Sequence, residues 1–248
     1  MNKVFACSAT AFAGVAALAA AAFAAAPVTA APVSPSAAVT PASVTWSADP
    51  AKGPSAFQSV QCDEGSSQFT TASDTAKGKV WVAKQAAGAE RCEVEGPDVK
   101  QGQTFYLGWS SKYHITDSTS RYVFQLKCSP STGTANHPIV LEVIGGKLRL
   151  DEWTTDHTNV PLWSTPFQND KWYDFALHVS ADRTKGTIQF WFGGKQQTFA
   201  NGSTSYTGTT YDGTRDYLKW GVYHQADQAA TQTFSTIRMG TSLTDVTG

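Results

Sequence analysis

The sequence predicts an all-β protein, a two-sheet sandwich of the β-jelly roll type in which helix is minor. Three observations carry this. From residue 44 onward nearly every segment alternates apolar and polar residues with period two. Turn formers interrupt the alternation at Gly145-Gly146, Asp182 to Gly186, Gly193-Gly194 and Asp212-Gly213. No segment sustains a helical 3.6-residue period, and many short antiparallel strands with regular turns close as a sandwich or jelly roll.

In chain order, residues 1–30 read "MNKVFACSATAFAGVAALAAAAFAAAPVTA". A basic start at Lys3, an Ala-rich apolar run and the small residues Val28-Thr29-Ala30 are the layout of a secretory signal peptide. Nothing later approaches the ~18 consecutive apolar residues of a spanning helix, so a secreted, extracellular protein is expected. Residues 31–43, "APVSPSAAVTPAS", lack periodicity and read as a flexible leader. The span 44–248 is long enough for one large β-domain with a continuous core. Within it strands are expected at 79–84, 104–113, 121–128, 139–145, 147–153, 172–180, 186–193, 216–225 and 232–240. In such a fold one sheet curves so that its outer face is concave, and alternating residues line a groove suited to an extended polymer.

Composition narrows the partners. With 19 basic and 20 acidic residues the formal charge is −1, and no basic cluster stands out, so neither nucleic acid nor an anionic membrane is expected as a partner. Aromatic residues make up 12% and charged residues 16%, a balance that suits an extracellular β-protein handling sugars. Once Cys7 leaves with the signal peptide, Cys62, Cys92 and Cys128 remain. Two should pair in an oxidising compartment. Cys62 with Cys92 is preferred because both flank charged, turn-like segments, which leaves Cys128 free and buried. No Cys/His spacing resembles a zinc site.

The polar strand faces hold the candidate chemistry. In "DYLKWGVYHQ" (216–225) Leu218, Trp220 and Val222 form a core face, while Tyr217, Lys219, Gly221, Tyr223 and Gln225 face the other way. In "RYVFQLKC" (121–128) Arg121, Val123, Gln125 and Lys127 share a face opposite Tyr122, Phe124, Leu126 and Cys128. In "GAERCEVEG" Arg91, Glu93 and Glu95 lie opposite Cys92 and Val94. Any one of these residues is ordinarily a solvated outer position. Together they suit a uronic acid polymer. β-Elimination removes the proton on carbon 5, α to a carboxylate, and an Arg, a Lys or a hydrogen-bonding Gln that neutralises this carboxylate lowers the barrier. A Tyr can act as base and then as acid, provided a nearby cation lowers its pKa from ~10. Lys219 lies four residues before Tyr223, roughly 13 Å along a strand, so it suits a neighbouring sugar carboxylate.

"YLKWGVYHQ" resembles the Tyr-x-Lys-x-Gly-x-Tyr-x-Gln strand of the jelly-roll polysaccharide lyases, the concanavalin-like group that includes glucuronan and alginate lyases. "RCE" resembles their Arg-x-Glu strand and "FQLK" their strand bearing a catalytic Gln. The resemblance runs in order over roughly residues 78 to 240. It implies that Tyr223 is the base/acid and that Gln125 and Arg91 neutralise or bind the carboxylate. Lys219 and Gln225 would bind substrate, with Glu93 orienting Arg91. Alginate lyases commonly carry a His two residues after the Gln, where this chain has Lys127. A Tyr-only scheme suits syn elimination on β-linked glucuronate or mannuronate, so glucuronan is the first expected substrate and polymannuronate the next.

The remaining candidates are weaker. His114 could reach the groove as a second base or carboxylate contact, and Arg121 could extend its cationic surface. Trp109 and Trp81 are candidate stacking platforms, although a Trp in such a strand is more often core. His224 alternates to the core side, and His137 and His157 lie in turns with no role assigned. No cofactor is required; a structural calcium, which some members of the group bind, is compatible, although no Asp-rich loop demands it. A monomer acting on acidic polysaccharide is expected. Two rivals remain. A jelly-roll glycoside hydrolase would need facing carboxylates ~5.5 Å apart, or ~6.5–9.5 Å if inverting, from Glu93, Glu142, Asp151 or Glu152. A non-catalytic sugar-binding module would need no clustered Arg, Gln and Tyr.

Overall fold

The computed structural model describes residues 43–247, so the predicted signal peptide and nearly all of the predicted leader lie outside the described residues. In chain order the strands are β1 (Val44–Ala48), β2 (Ser59–Gln61), β3 (Gln68–Asp74), β4 (Gly78–Gln85), β5 (Arg91–Val99), β6 (Thr104–His114), β7 (Arg121–Ser129), β8 (Ile139–Ile144) and β9 (Lys147–Trp153). There follow β10 (Asn159–Pro166), β11 (Tyr173–Ser180), β12 (Gly186–Phe192), β13 (Lys195–Gln196), β14 (Tyr206–Gly208), β15 (Arg215–Tyr223), β16 (Ala230–Phe234) and β17 (Ile237–Gly240), then the short helix α1 (Leu243–Val246).

They form the two antiparallel sheets of a β-jelly roll. The ten-stranded sheet runs β13-β12-β11-β6-β16-β4-β3, with β17 joining β1 to β6 and β14 pairing with β12. The seven-stranded sheet runs β10-β9-β8-β7-β15-β5-β2. Alternation does the sorting. Leu218, Trp220 and Val222 of β15 and Phe124 and Leu126 of β7 point inward to meet Leu107, Trp109, Phe175, Leu177 and Phe190 of the other sheet. Trp109 is the joint: its ring lies 4.9 Å from Phe124, 5.2 Å from Phe175 and 6.1 Å from Trp220. Trp109 and Trp81 are both buried in this core, so neither is a sugar platform. Each indole buries far more apolar area there than a groove wall would.

Two departures from simple alternation shape the outer face of the seven-stranded sheet. Val123 and Phe124 are both core residues, and the ladder shifts between Tyr122 and Phe124 against β8 and between Trp220 and Tyr223 against β7. These bulges invert the phase at the start of β7. Gly221 makes the second one possible: its φ is 125°, and a Cβ there would lie 2.1 Å from the Cys92 carbonyl oxygen. The predicted segment 232–240 also divides, at Ser235-Thr236, into β16 and β17. Cys62 and Cys92 are joined by a disulfide and Cys128 is free and buried, as expected from the sequence.

Candidate active site

Register gathers the predicted polar residues on one face. Arg91 pairs with Tyr223, Tyr223 with Tyr122, Tyr122 with Glu142 and Glu142 with Arg149. These five residues form a row across β5, β15, β7, β8 and β9, ~19 Å long at the usual strand spacing. Two same-face steps along the strands, Glu95 pairs with Lys219 and Lys219 with Gln125. A third step pairs Tyr217 with Lys127.

The centre is a buried polar network. Glu93, 1% exposed, accepts from Gln125 Nε2 at 2.7 Å and from Lys219 Nζ at 2.6 Å. Lys219 Nζ also donates to Gln61 Oε1 at 2.8 Å. Glu93 therefore orients Gln125 and Lys219, rather than Arg91 as the resemblance implied. Arg91 pairs instead with Glu90, and its guanidinium lies 4.9 Å from the centre of the Tyr223 ring. Gln125 Oε1 is buried without a partner, leaving an acceptor free for a protonated or hydroxyl group. The disulfide holds the two segments that supply the network, since Cys62 follows Gln61 and Cys92 sits between Arg91 and Glu93.

Charge around Tyr223 departs from expectation. Burial pushes its phenol above the ordinary value, Glu90 adds to this, and Arg91 opposes it without prevailing. Tyr223 thus holds its proton at neutral pH in the free protein. Lys127 is drawn along its own strand end, donating to the Cys128 carbonyl at 2.6 Å and to Ser131 Oγ at 3.0 Å. Burial lowers its pKa, and the cations Lys219 and Arg91 lower it further. Tyr217 is half-buried with the Arg215 guanidinium 4.2 Å over its ring, and Arg215 bridges Glu95 and Asp98.

Three aromatic residues enter the site unforeseen. The bulge at Val123 turns Tyr122 outward, and its ring lies 5.9 Å from that of Tyr223 and 4.3 Å from that of His224. Tyr122 Oη lies 3.3 Å from His137 Nε2. His137 is buried, and desolvation, aided by His157 and Lys127, pushes its pKa down to about 3, so its imidazole is neutral at working pH. His224 has φ 89°, which ends the alternation and brings its ring 4.5 Å from Tyr223 instead of into the core. Beside Tyr122, the Glu142 and Asp151 carboxylates share the Arg149 guanidinium, at 2.5 Å and 2.9 Å. Burial and Glu142 raise the Asp151 pKa to about 7.

Several predicted residues lie elsewhere. Arg121, fully buried, points away from this face because of the same bulge. It ties down the β15 to β16 connection by donating to the His224 carbonyl at 2.7 Å and the Gln228 carbonyl at 2.8 Å, and it pairs with Asp117 at 2.9 Å. His114 ends β6 in the opposite sheet, exposed and paired with Asp170 at 3.0 Å. Gln225 is exposed beyond the end of β15, since the alternation that assigned it to this face stops at His224. The local signals for the residues missed were thin: a bulge has no fixed sequence mark, and His137 sits in a turn. Among the described residues no group of three or more His, Cys, Asp or Glu side chains could hold a metal ion, and no helix is long and apolar enough to cross a membrane.

A two-sheet jelly roll with Arg, Gln, Lys and Tyr side chains gathered on one sheet face defines a carbohydrate-active β-sandwich. The chain belongs to the polysaccharide lyase family, whose model matches residues 47–238, and it is a polysaccharide lyase. Its fold is similar to that of the endo-β-1,4-glucuronan lyase of the fungus Trichoderma reesei, with TM-score 0.63 and 13% identity over 82% of this chain and 98% of that one. A carbohydrate esterase of the Shiga toxin-encoding bacteriophage phi24B aligns with TM-score 0.57 and 12% identity over 81% and 99%. The alginate lyase of Corynebacterium sp. aligns with TM-score 0.52 and 12% identity over 71% and 82%. None of the curated proteins compared matches the chain.

Proposed function

We propose that the protein is a secreted lyase that cleaves an acidic β-1,4-linked polyuronate, glucuronan first and polymannuronate next. The observation that carries this is the Glu93 network, which holds Gln125 and Lys219 on the same sheet face as Arg91 and Tyr223. In the reaction Arg91 and the second Nε2 hydrogen of Gln125 donate to the uronate carboxylate, spreading the charge that develops when carbon 5 loses its proton. The phenolate of Tyr223 removes that proton. The bond from carbon 4 to the glycosidic oxygen then breaks, a carbon 4 to carbon 5 double bond forms, and Tyr223 returns the proton to the departing oxygen. Lys127 and Tyr217 bind flanking sugars, while Lys219, buried between Glu93 and Gln61, holds the Glu93 carboxylate in place. Glucuronan comes first because the fungal enzyme of similar fold is an endo-β-1,4-glucuronan lyase.

The acid geometry gives little support to a hydrolase. Glu93 and Glu142 stand three strands apart, ~14 Å, beyond the ~6.5–9.5 Å an inverting pair spans. Glu142 and Asp151 instead crowd one guanidinium, and Glu152 turns aside to accept from the Thr209 amide at 2.8 Å. The test is ultraviolet absorbance of unsaturated uronate on glucuronan, polymannuronate, polyguluronate and pectate. A rise on one polymer, lowered at least ~10²-fold by Tyr223→Phe with binding retained, is the expected result. New reducing ends on neutral glucans without that absorbance would establish the hydrolase, and silence in both assays a binding module.

A further inference from the structure

On the outer face of the ten-stranded sheet, away from the residues described above, lies a cleft of about 470 Å³. Register explains its shape. Trp191 pairs with Ala176, Ala176 with Gly108, and Gly108 with Arg238. Two large side chains therefore flank two positions that have almost none, across β12, β11, β6 and β17. Gly108 cannot be larger, because a Cβ there would lie 2.3 Å from the Val246 carbonyl oxygen, so α1 closes one side. Two residues along the strands the lining turns polar. Ser110 Oγ and Lys77 Nζ donate to Asp174 Oδ1 at 2.6 Å and 2.9 Å, and Ser235 Oγ accepts from the Ser110 amide at 3.0 Å. Trp191 is half-buried, and its ring is backed by Tyr106 at 6.2 Å, which in turn packs on His178 at 4.5 Å. The indole is thus fixed before any ligand arrives.

This is the chemistry that receives a sugar ring: a rigid aromatic wall for the C–H face, and a carboxylate with hydroxyls for the hydroxyl edge. The volume lies within the ~300–1,000 Å³ of small-ligand sites. Lys77, Arg238 and Asp174 are the charged groups lining the cleft, so it offers donors and an acceptor to the carboxylate and hydroxyl groups of a sugar. We propose that the cleft walled by Trp191 and Arg238, with Asp174 and Lys77 at its polar end, is a second, non-catalytic site that binds one or two units of an acidic polysaccharide. Only the identity of that polymer rests on the proposed function. Lying on the sheet opposite Tyr223, the site holds polymer without competing for the face where it is cleaved, and so keeps the enzyme on its substrate.

The test is calorimetry on the Tyr223→Phe protein, which keeps ligand intact, with hexamers of glucuronate and of mannuronate as probes. Two hexamers bind per chain, and Trp191→Ala in that background leaves one. Lys77→Glu, a surface change that spares the indole, weakens the second site about tenfold, and circular dichroism checks that both variants fold. In the active enzyme Trp191→Ala raises KM on long polymer severalfold and leaves kcat/KM on a trimer unchanged. A single hexamer per chain that neither variant disturbs would overturn the proposal, as would no binding of either probe. A single site lost with Trp191→Ala would support the cleft and refute the placement of substrate on the Tyr223 face.

Discussion

Glu93→Gln is the sharpest perturbation of the proposed catalytic face. The side chain keeps its shape and loses only its charge. Lys219, 2% exposed, then has only neutral acceptors, Gln61 Oε1 and the new amide oxygen, and no carboxylate. Removing one partner of a buried ion pair costs about 3–5 kcal/mol, and the surviving hydrogen bond to Gln61 offsets about 1 kcal/mol. The expected loss is therefore about 2–4 kcal/mol, a shift of the urea midpoint by ~1–2 M at an m-value of ~2 kcal/mol/M. Lys219→Met strands the carboxylate in the same way. The double variant Glu93→Gln/Lys219→Met leaves no buried charge and should be destabilised by at least ~2 kcal/mol less than the two single losses added. Catalysis follows positioning: with Gln125 no longer held by a carboxylate, kcat should fall about 10²-fold. Urea unfolding of all four proteins decides the matter. Single effects that simply add would show that Glu93 and Lys219 are not coupled, and the account of the site's centre would fail.

Asp151 is raised from 3.8 to about 7, so between those values the folded protein holds a proton that the unfolded chain has released; stability should fall by a few kcal/mol (~4 at most) as pH rises through that window. Asp151→Asn should flatten this slope in urea midpoints taken at pH 5 and pH 8, leaving the contribution of Asp216, raised over the same range. Loss of the Cys62–Cys92 disulfide, which spans 30 residues, should lower stability by about 3–4 kcal/mol, read in thermal or urea unfolding with and without reductant. Arg121→Met, which strands Asp117 and frees the His224 and Gln228 carbonyls, should destabilise by about 3–5 kcal/mol and loosen the chain after Tyr223, seen as faster amide exchange there.

What could be read from the sequence was whatever strict alternation controls. Leu218, Trp220 and Val222 inward with Lys219 and Tyr223 outward follow from period two alone, and so do Gln125 with Lys127 and Arg91 with Glu93. Readings failed where the backbone leaves that period. The bulge at Val123 exchanged the roles of Arg121 and Tyr122: the predicted groove cation became a buried strut, and the predicted core tyrosine became a neighbour of Tyr223. A positive φ at His224 did the same to His224 and Gln225. His114 was misplaced for another reason. Alternation assigns a residue to a face of its own strand but does not say which sheet that strand joins, and β6 lies in the other one. The partnership of Glu93 with Gln125 and Lys219 depends on the order of strands in the sheet, which local pattern does not encode.

The protonation of Tyr223 makes the identity of the base measurable. Because burial and Glu90 raise its pKa above the ordinary value, a mechanism that needs the Tyr223 phenolate uses a minor form of the free enzyme at neutral pH. In that case kcat/KM, which reports the free enzyme, should rise about tenfold per pH unit between pH 7 and pH 9 with no plateau. His137 offers the contrasting case. Its imidazole is neutral above about pH 3, so a mechanism in which it accepts the proton through Tyr122 would give a flat profile over that range, with Tyr223 serving as acid alone. Asp151 contributes its own step near pH 7, and running the profile in the Asp151→Asn background removes it. A continuing rise in that background establishes Tyr223 as both base and acid. A plateau abolished by His137→Ala would move the base to His137, so that the histidine missing at position 127 would be supplied from the turn between β7 and β8.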